Sequence, residues 1–338
     1  MLRISLVKLI RYLIYLTLGI LLFYLAFKGQ DLNKMFSDLQ KADFKWIILS
    51  IFISLISHFL RAYRWNLMIG SLGHGTPSLL NTFHAVIMGY LANLVFPRMG
   101  ELARCTLINK SDRIPVTKLL GTVIAERVAD LLMLGLIFLL AILYEFKVLS
   151  GFFNEHFLSK LSDRIPDIIW LISGLILLFV TAIFCLIRIK KKKWGFTERI
   201  FLFFSGMKAG ILSVKRMENK AGFLLSSVFI WLFYGLSSYF CFFALDATSS
   251  LGPGAALSTL VFGSLAMIAP VQGGIGAFHW MVSEGLMAYG ISKTDGLSYA
   301  LLVHTSQTLI VLIIGSISLI LFIKQSNSKR YYEQAEKH

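Results

Sequence analysis

Asn93-Leu94-Val95-Phe96-Pro97-Arg98-Met99-Gly100-Glu101-Leu102-Ala103-Arg104 closes an apolar run that begins at Leu79. Ala269-Pro270-Val271-Gln272-Gly273-Gly274-Ile275-Gly276-Ala277-Phe278-His279 closes another that begins at Ala255. Proline ends a helix and glycine permits the turn that follows, so both runs are interrupted where they would otherwise continue. A helix crossing a bilayer needs about 20 mostly apolar residues. Six other runs approach that length unbroken: Ile10 to Phe27, Trp46 to Leu60, Val128 to Tyr144, Ile168 to Ile187, Ala221 to Leu245 and Tyr299 to Ile323. The Trp46 run is short, and Arg61 and Arg64 are expected to extend it by snorkelling to the interface, with Trp65 as an aromatic anchor.

Composition agrees with membrane residence. Of 338 residues, 57% are apolar and 15% charged, whereas soluble domains average about a quarter charged. Too few polar residues remain to cover a soluble core of this size. Cys105, Cys185 and Cys241 lie in or beside apolar stretches and form neither a disulfide framework nor a metal pair. Arg3, Lys8 and Arg11 precede the first run as in a signal peptide, but no small-residue cleavage site follows Phe27, so the run is expected to stay as an uncleaved anchor.

The net charge of +15 raises the question of a polyanionic partner. With the N-terminus cytoplasmic, six full crossings return the C-terminus to the cytoplasm. The inside then carries 24 Lys and Arg against 8 outside, with Arg127 inside a span. This is the positive-inside bias of a multi-pass cell (inner) membrane protein, so no nucleic acid need be invoked. The bias holds only if both interrupted runs are re-entrant and do not cross. Arg188 to Lys193 reads as a stop-transfer cluster. After it, Ile200, Phe203, Phe204, Met207, Ile211 and Val214 fall at the spacing of an interfacial amphipathic helix.

The expected fold is therefore an all-α polytopic membrane protein: six full spans plus two re-entrant broken-helix hairpins, arranged as an inverted repeat. Trp46 to Pro97 is 51 residues and Ala221 to Pro270 is 49, and the two units have opposite sense at every step. The expected organisation is an anchor helix and external loop over 1–45 and a first repeat over 46–145. A connecting span, basic loop and interfacial helix occupy 146–220, the second repeat 221–323, and a cytoplasmic tail 324–338. Inverted repeats with matching broken helices point to a transporter whose substrate site lies between them.

The polar residues fall at those breaks and within spans. The helix restarting near Gly100, flanked by Arg98 and Arg104, suits an anion, with Glu101 the expected partner of one of the arginines. Gln272, Gly273, Gly274 and Gly276 let backbone amides approach a head group, with another helix N-terminus following. Glu126 and Asp130 share a face of a long apolar helix, with Arg127 on an adjacent one. Ionisable groups in a span either line a cavity or pair internally, and both roles stay open for these three. His304 and Gln307, one turn apart, and His279 and Glu284 are open between structural hydrogen bonding and substrate contact. His58 and His84 read as core histidines. No nucleotide-binding, hydrolase or metal-ligand motif occurs, so no cofactor or metal is implied.

The set Asn93…Pro97-Arg98-Met99-Gly100-Glu101…Arg104, Glu126-Arg127…Asp130, Pro270…Gly273-Gly274-Ile275-Gly276 and Arg61…Arg64-Trp65 resembles the flippase-like transmembrane domain of lysylphosphatidylglycerol synthases and its standalone UPF0104-type relatives. The resemblance runs from about Trp46 to Ile323. In two-domain members the membrane half is implicated in moving an aminoacylated phospholipid between leaflets, and a soluble domain makes that lipid. The chain ends within 15 residues of Ile323, so the resemblance implies no lysyl-transfer activity here. Family members usually place glutamate where this chain has His279 and often arginine where it has His304, which implies a different head group.

The resulting expectation is a flippase-like transporter that passes a lipid with an anionic head group, phospholipid or polyprenyl-phosphate-linked, between leaflets. Arg98, Arg104 and the two breaks would bind phosphate, with Arg127, Glu126 and Asp130 assisting. No ATP-binding motif occurs, so a gradient drives the exchange or it is passive. The rival expectations are an integral-membrane enzyme using Glu126 or Asp130 as general base, and an accessory scaffold of a lipid-synthesis complex. A homo-oligomer is compatible with all three.

Overall fold

A computed structural model of the chain describes residues 6–146 and 212–335, together with 148, 150 and 208. The expected span Ile168 to Ile187, the stop-transfer cluster and most of the amphipathic helix after it lie outside the described residues. Within them all regular structure is helical, with no strand. Ten helices longer than one turn carry the fold: α1 (Leu6–Phe27), α2 (Leu32–Lys41), α3 (Phe44–Gly70), α4 (Leu79–Val95), α5 (Gly100–Asp112), α6 (Val116–Tyr144), α7 (Lys220–Phe242), α8 (Pro253–Ala266), α9 (Ala277–Met287) and α10 (Lys293–Ala335). Four of these, α3, α6, α7 and α10, are long and apolar enough to cross a membrane. A fifth candidate is α1 joined to α2 across a 91° bend.

Short polar side chains start the helices by accepting first-turn amides that have no intrahelical acceptor. Asp31 does this for α2, Asp43 for α3, Ser78 for α4 and Asn219 for α7. Pro115 and Pro253 mark the starts of α6 and α8, where a missing N–H costs nothing. The stretch expected as an external loop before Trp46 holds α2, whose Met35 packs with Ala26 and Leu297 while Leu32 and Phe36 stay exposed.

The expected run from Trp46 does not end at Leu60. Helix α3 continues unbroken to Gly70, and the reason is visible in its packing: α3 lies antiparallel along α7, through small polar contacts that let the backbones approach. Ser50 Oγ donates to the Ser237 carbonyl at 2.9 Å, and Arg64 Nη1 donates to Ser227 Oγ at 3.1 Å.

Both interrupted runs stop where proline and glycine require. Helices α4 and α5 form an antiparallel hairpin whose crossing point is Gly89 against Gly100, and α8 and α9 form a second, with Gly263 against Phe278. The hairpin turns touch each other: Leu94 lies against Gly273, and Arg98 Nη2 donates to the Ile268 carbonyl at 2.5 Å. The open end of the α4–α5 hairpin sits with the C-terminus of α3, where Asn66 Nδ2 donates to the Pro77 carbonyl and Ser71 Oγ to the Ser213 carbonyl. At the other end, the Asp43 amide donates to the Ala244 carbonyl after α7, and Thr294 at the start of α10 bonds Gln30.

Cys105 and Cys241 are free and fully buried. A membrane-permeant maleimide is accordingly expected to leave both unmodified in the folded protein and to label them after denaturation, as intact-mass spectrometry would read out.

Candidate functional site

The dominant polar feature is a cluster of ionisable side chains inside the bundle, drawn from α3, α5 and α6. Helix α6 starts at Val116, which places Glu126 nearly three turns in, and Glu126 has no exposure. Its Oε1 accepts from Arg61 Nε at 2.8 Å and Arg64 Nη2 at 3.4 Å, and its Oε2 accepts from Arg104 Nη2 at 2.8 Å. One turn on, Asp130 accepts from Arg61 Nη2 at 2.5 Å and Arg64 Nη2 at 2.6 Å. Arg104 also lies over the Trp65 ring, 4.5 Å from its centroid. Trp65 Nε1 donates to Thr122 Oγ1 at 2.9 Å.

These contacts overturn the reading of Arg61, Arg64 and Trp65 as interface anchors. None snorkels: Arg64 and Trp65 have no exposure and Arg61 is 7% exposed. The two carboxylates on α6 attract them inward, because a buried carboxylate without a cation costs more than the lost hydration of a paired one. Glu101 does not serve Arg98 or Arg104 as expected. It pairs with Arg127 Nη2 at 3.1 Å, and that arginine, with its side chain 47% exposed, forms the rim of the cluster.

The buried part of the cluster holds three guanidiniums and two carboxylates, with Arg127 and Glu101 balancing each other at the rim. One positive charge is therefore in excess, and Arg64 Nε has no partner. Guanidinium N–H groups in such excess are chemically able to donate to a further anionic oxygen.

The residues of the second break form a separate group. His304 Nε2 meets the Gly273 carbonyl at 2.8 Å, and His279 lies 4.8 Å from His304, ring to ring. The Gly276 amide donates to His279 Nδ1 at 3.3 Å, so this histidine caps its own helix. Gln272, with its amide oriented to satisfy both ends, donates to the Tyr15 carbonyl and accepts from the Leu16 amide of α1. Glu284 is taken by Lys293 at 2.9 Å. The structure thus brings Arg104, Glu126, Arg127, Asp130 and Glu101 together but keeps Gln272, Gly273, Gly274, Gly276, His279 and His304 apart from them. Arg98 belongs to neither group. Its backbone is left-handed and its guanidinium reaches the carbonyl end of α8, where a cation complements the helix dipole. The first amide of α5 is already occupied by Asn93 Oδ1 at 2.7 Å.

Sequence reasoning missed Tyr234, whose hydroxyl takes Arg61 Nη1 at 3.2 Å, and Ser227. The available signal was the polar stripe Ser50, Ser54, Ser57, Arg61 and Arg64 at helical spacing along α3.

Residues 9–315 match the family described as the lysylphosphatidylglycerol synthase TM region. The chain belongs to that family. The lysylphosphatidylglycerol synthase TM region thus runs from α1 to about halfway along α10 and includes every residue of both groups. The chain is also similar to the UPF0104 membrane protein PH1989 of Pyrococcus horikoshii, 23% identical over 314 residues, covering 84% of this chain and 89% of the relative. No solved structure matches the chain. Membership, with four to five candidate spans among the described residues, makes this a lipid-related multi-pass membrane protein.

Proposed function

We propose that the protein is a flippase-like transporter of a cell inner membrane that exchanges a lipid with an anionic head group between leaflets. The observation that carries this is the buried excess of guanidinium over carboxylate at Arg61, Arg64 and Arg104, with Arg127 at its rim. A permanent excess charge in an apolar bundle is costly unless an anion is present for part of the working cycle. The head group's phosphate, phospholipid or polyprenyl-linked, would enter past Arg127 and compete with Glu126 and Asp130 for the buried arginines. The protein's own groups would bind and release, with no chemical change to the lipid.

In this reading the chain has six spans, with both termini cytoplasmic, and the two hairpins are re-entrant elements of an inverted repeat. Supporting it, the hairpins open at opposite ends of the bundle and their turns meet, through Arg98 to Ile268 and Leu94 to Gly273. Single cysteines at His74 and Ser250 are expected to label with an impermeant maleimide from opposite faces of the membrane; labelling from one face refutes the inverted arrangement.

Transport is tested in phosphatidylcholine vesicles carrying purified protein and a trace of fluorescent phosphatidylglycerol, with dithionite quenching reporting leaflet exchange. Exchange above protein-free vesicles is expected, and exchange equal to them, or conversion of the lipid to another species, rejects the reading. Arg98→Ala is expected to abolish exchange by uncoupling the hairpin turns. It should cost only about 1 kcal/mol of stability, because it removes one hydrogen bond from an exposed side chain. Unchanged exchange would remove Arg98 from the mechanism.

A further inference from the structure

Nine buried side-chain atoms among the described residues have no hydrogen-bond partner, and two of them belong to rings packed together next to Arg61. His58 Nδ1 is one and Tyr90 Oη another. The two rings lie 4.9 Å apart, and the Tyr234 ring lies 6.3 Å from that of His58. One turn before His58 on α3, Ser54 Oγ donates to Gln307 Oε1 at 2.7 Å, and Gln307 Nε2 is a third unpartnered atom. One turn after His58 comes Arg61. A buried polar atom left without a partner is expensive, and a native structure keeps it for a reason.

Among the described residues, the groups around His58 come from four helices. Arg61 lies on its own helix, Tyr90 on α4, Tyr234 on α7 and Gln307 on α10 through Ser54, with His304 a turn beyond. Glu126 and Asp130 on α6 are bonded to Arg61, and Arg104 on α5 is bonded to Glu126. Among the described residues no free carboxylate faces the imidazole, and Glu126 and Asp130 are held by guanidiniums, which leaves them poorly suited to carry a coupling proton. His58 has an open nitrogen, and its nearest charge is a cation belonging to a cluster already in positive excess.

We propose that His58 is the proton-binding group of the transport cycle, taking up one proton from solvent when an anionic head group occupies the arginine cluster. This rests on the proposed function above. With the cluster empty, an imidazolium beside Arg61 adds a second uncompensated positive charge in the bundle. A phosphodiester bound there cancels the first, so anion and proton each favour the other's binding. Such linkage is reciprocal: the anion binds more tightly as pH falls.

The test is calorimetric titration of detergent-solubilised full-length protein with dihexanoyl phosphatidylglycerol, in buffers of different ionisation enthalpy, between pH 5.5 and 8. The wild type is expected to take up about one proton per lipid, with affinity falling about tenfold per pH unit at the alkaline end of that range. His58→Gln and His58→Phe, each checked for a monodisperse size-exclusion profile, are expected to bind the lipid with no proton uptake and no pH dependence. Uptake that persists in both variants assigns the proton to Glu126 or Asp130 and overturns the inference. Binding by the wild type without uptake overturns it too, while leaving the transport reading standing. Absence of binding at every pH overturns both.

Discussion

Glu126→Ala is expected to destabilise the protein more than any other single substitution in the polar cluster, by about 3–5 kcal/mol. Glu126 is fully buried and receives bonds from three arginines on two helices. Without it, Arg104 loses its carboxylate, and Asp130 alone faces Arg61 and Arg64. The cost arises from guanidiniums left buried without an anion, not from the pair's intrinsic worth, and this predicts the pattern of a second variant. Removing a cation along with the anion, as in Glu126→Gln with Arg104→Gln, should recover part of the loss, since fewer uncompensated charges remain. Asp130→Asn should cost less, because Asp130 is 12% exposed and water can reach its partners. Thermal unfolding in detergent, followed by the fraction surviving size exclusion, measures all three. Equal stability of Glu126→Ala and the wild type would show that the cluster is hydrated and open in the resting protein.

Gly100→Val is expected to break the first hairpin. A Cβ at Gly100 would overlap the Gly89 carbonyl oxygen and sit 2.6 Å from Asn93 Nδ2, and the obstacle is backbone of the same hairpin, which cannot rotate away. Overpacking typically costs about 1–3 kcal/mol. Here separating α4 from α5 would also break the bond from the Gly100 amide to Asn93 Oδ1 and displace Arg104 from Glu126. Stability and lipid exchange are therefore expected to fall together, with Gly100→Ala intermediate. Gly276 is the corresponding position at the second break. Its φ of +81° and the α1 backbone against it predict that Gly276→Ala loosens α1 from α9.

Much of the architecture was legible because membrane helices are under a simple constraint. Backbone polar groups must be paired within the segment, so length and hydropathy mark the spans and proline with glycine marks the breaks. That reasoning located the ends of α4 and α8 to within a few residues and the start of α5 at Gly100. It failed on α3, where Arg61 and Arg64 looked like the edge of the membrane. Hydropathy treats an arginine as a boundary, whereas a carboxylate on another helix can turn it inward, and nothing local to α3 announces Glu126 more than sixty residues away.

The chain alone determined that this is an all-helical membrane protein with two interrupted hairpins, and that Glu126, Arg127 and Asp130 stand within an apolar helix. Those are matters of period, length and the chemistry of proline and glycine. Only the tertiary structure decided which charges meet. Arg104 joins Glu126, Glu101 joins Arg127, Arg98 caps α8, and the histidines of the second break form a group of their own. Pairing depends on which helix faces come together in space, a long-range property that spacing along one helix does not encode.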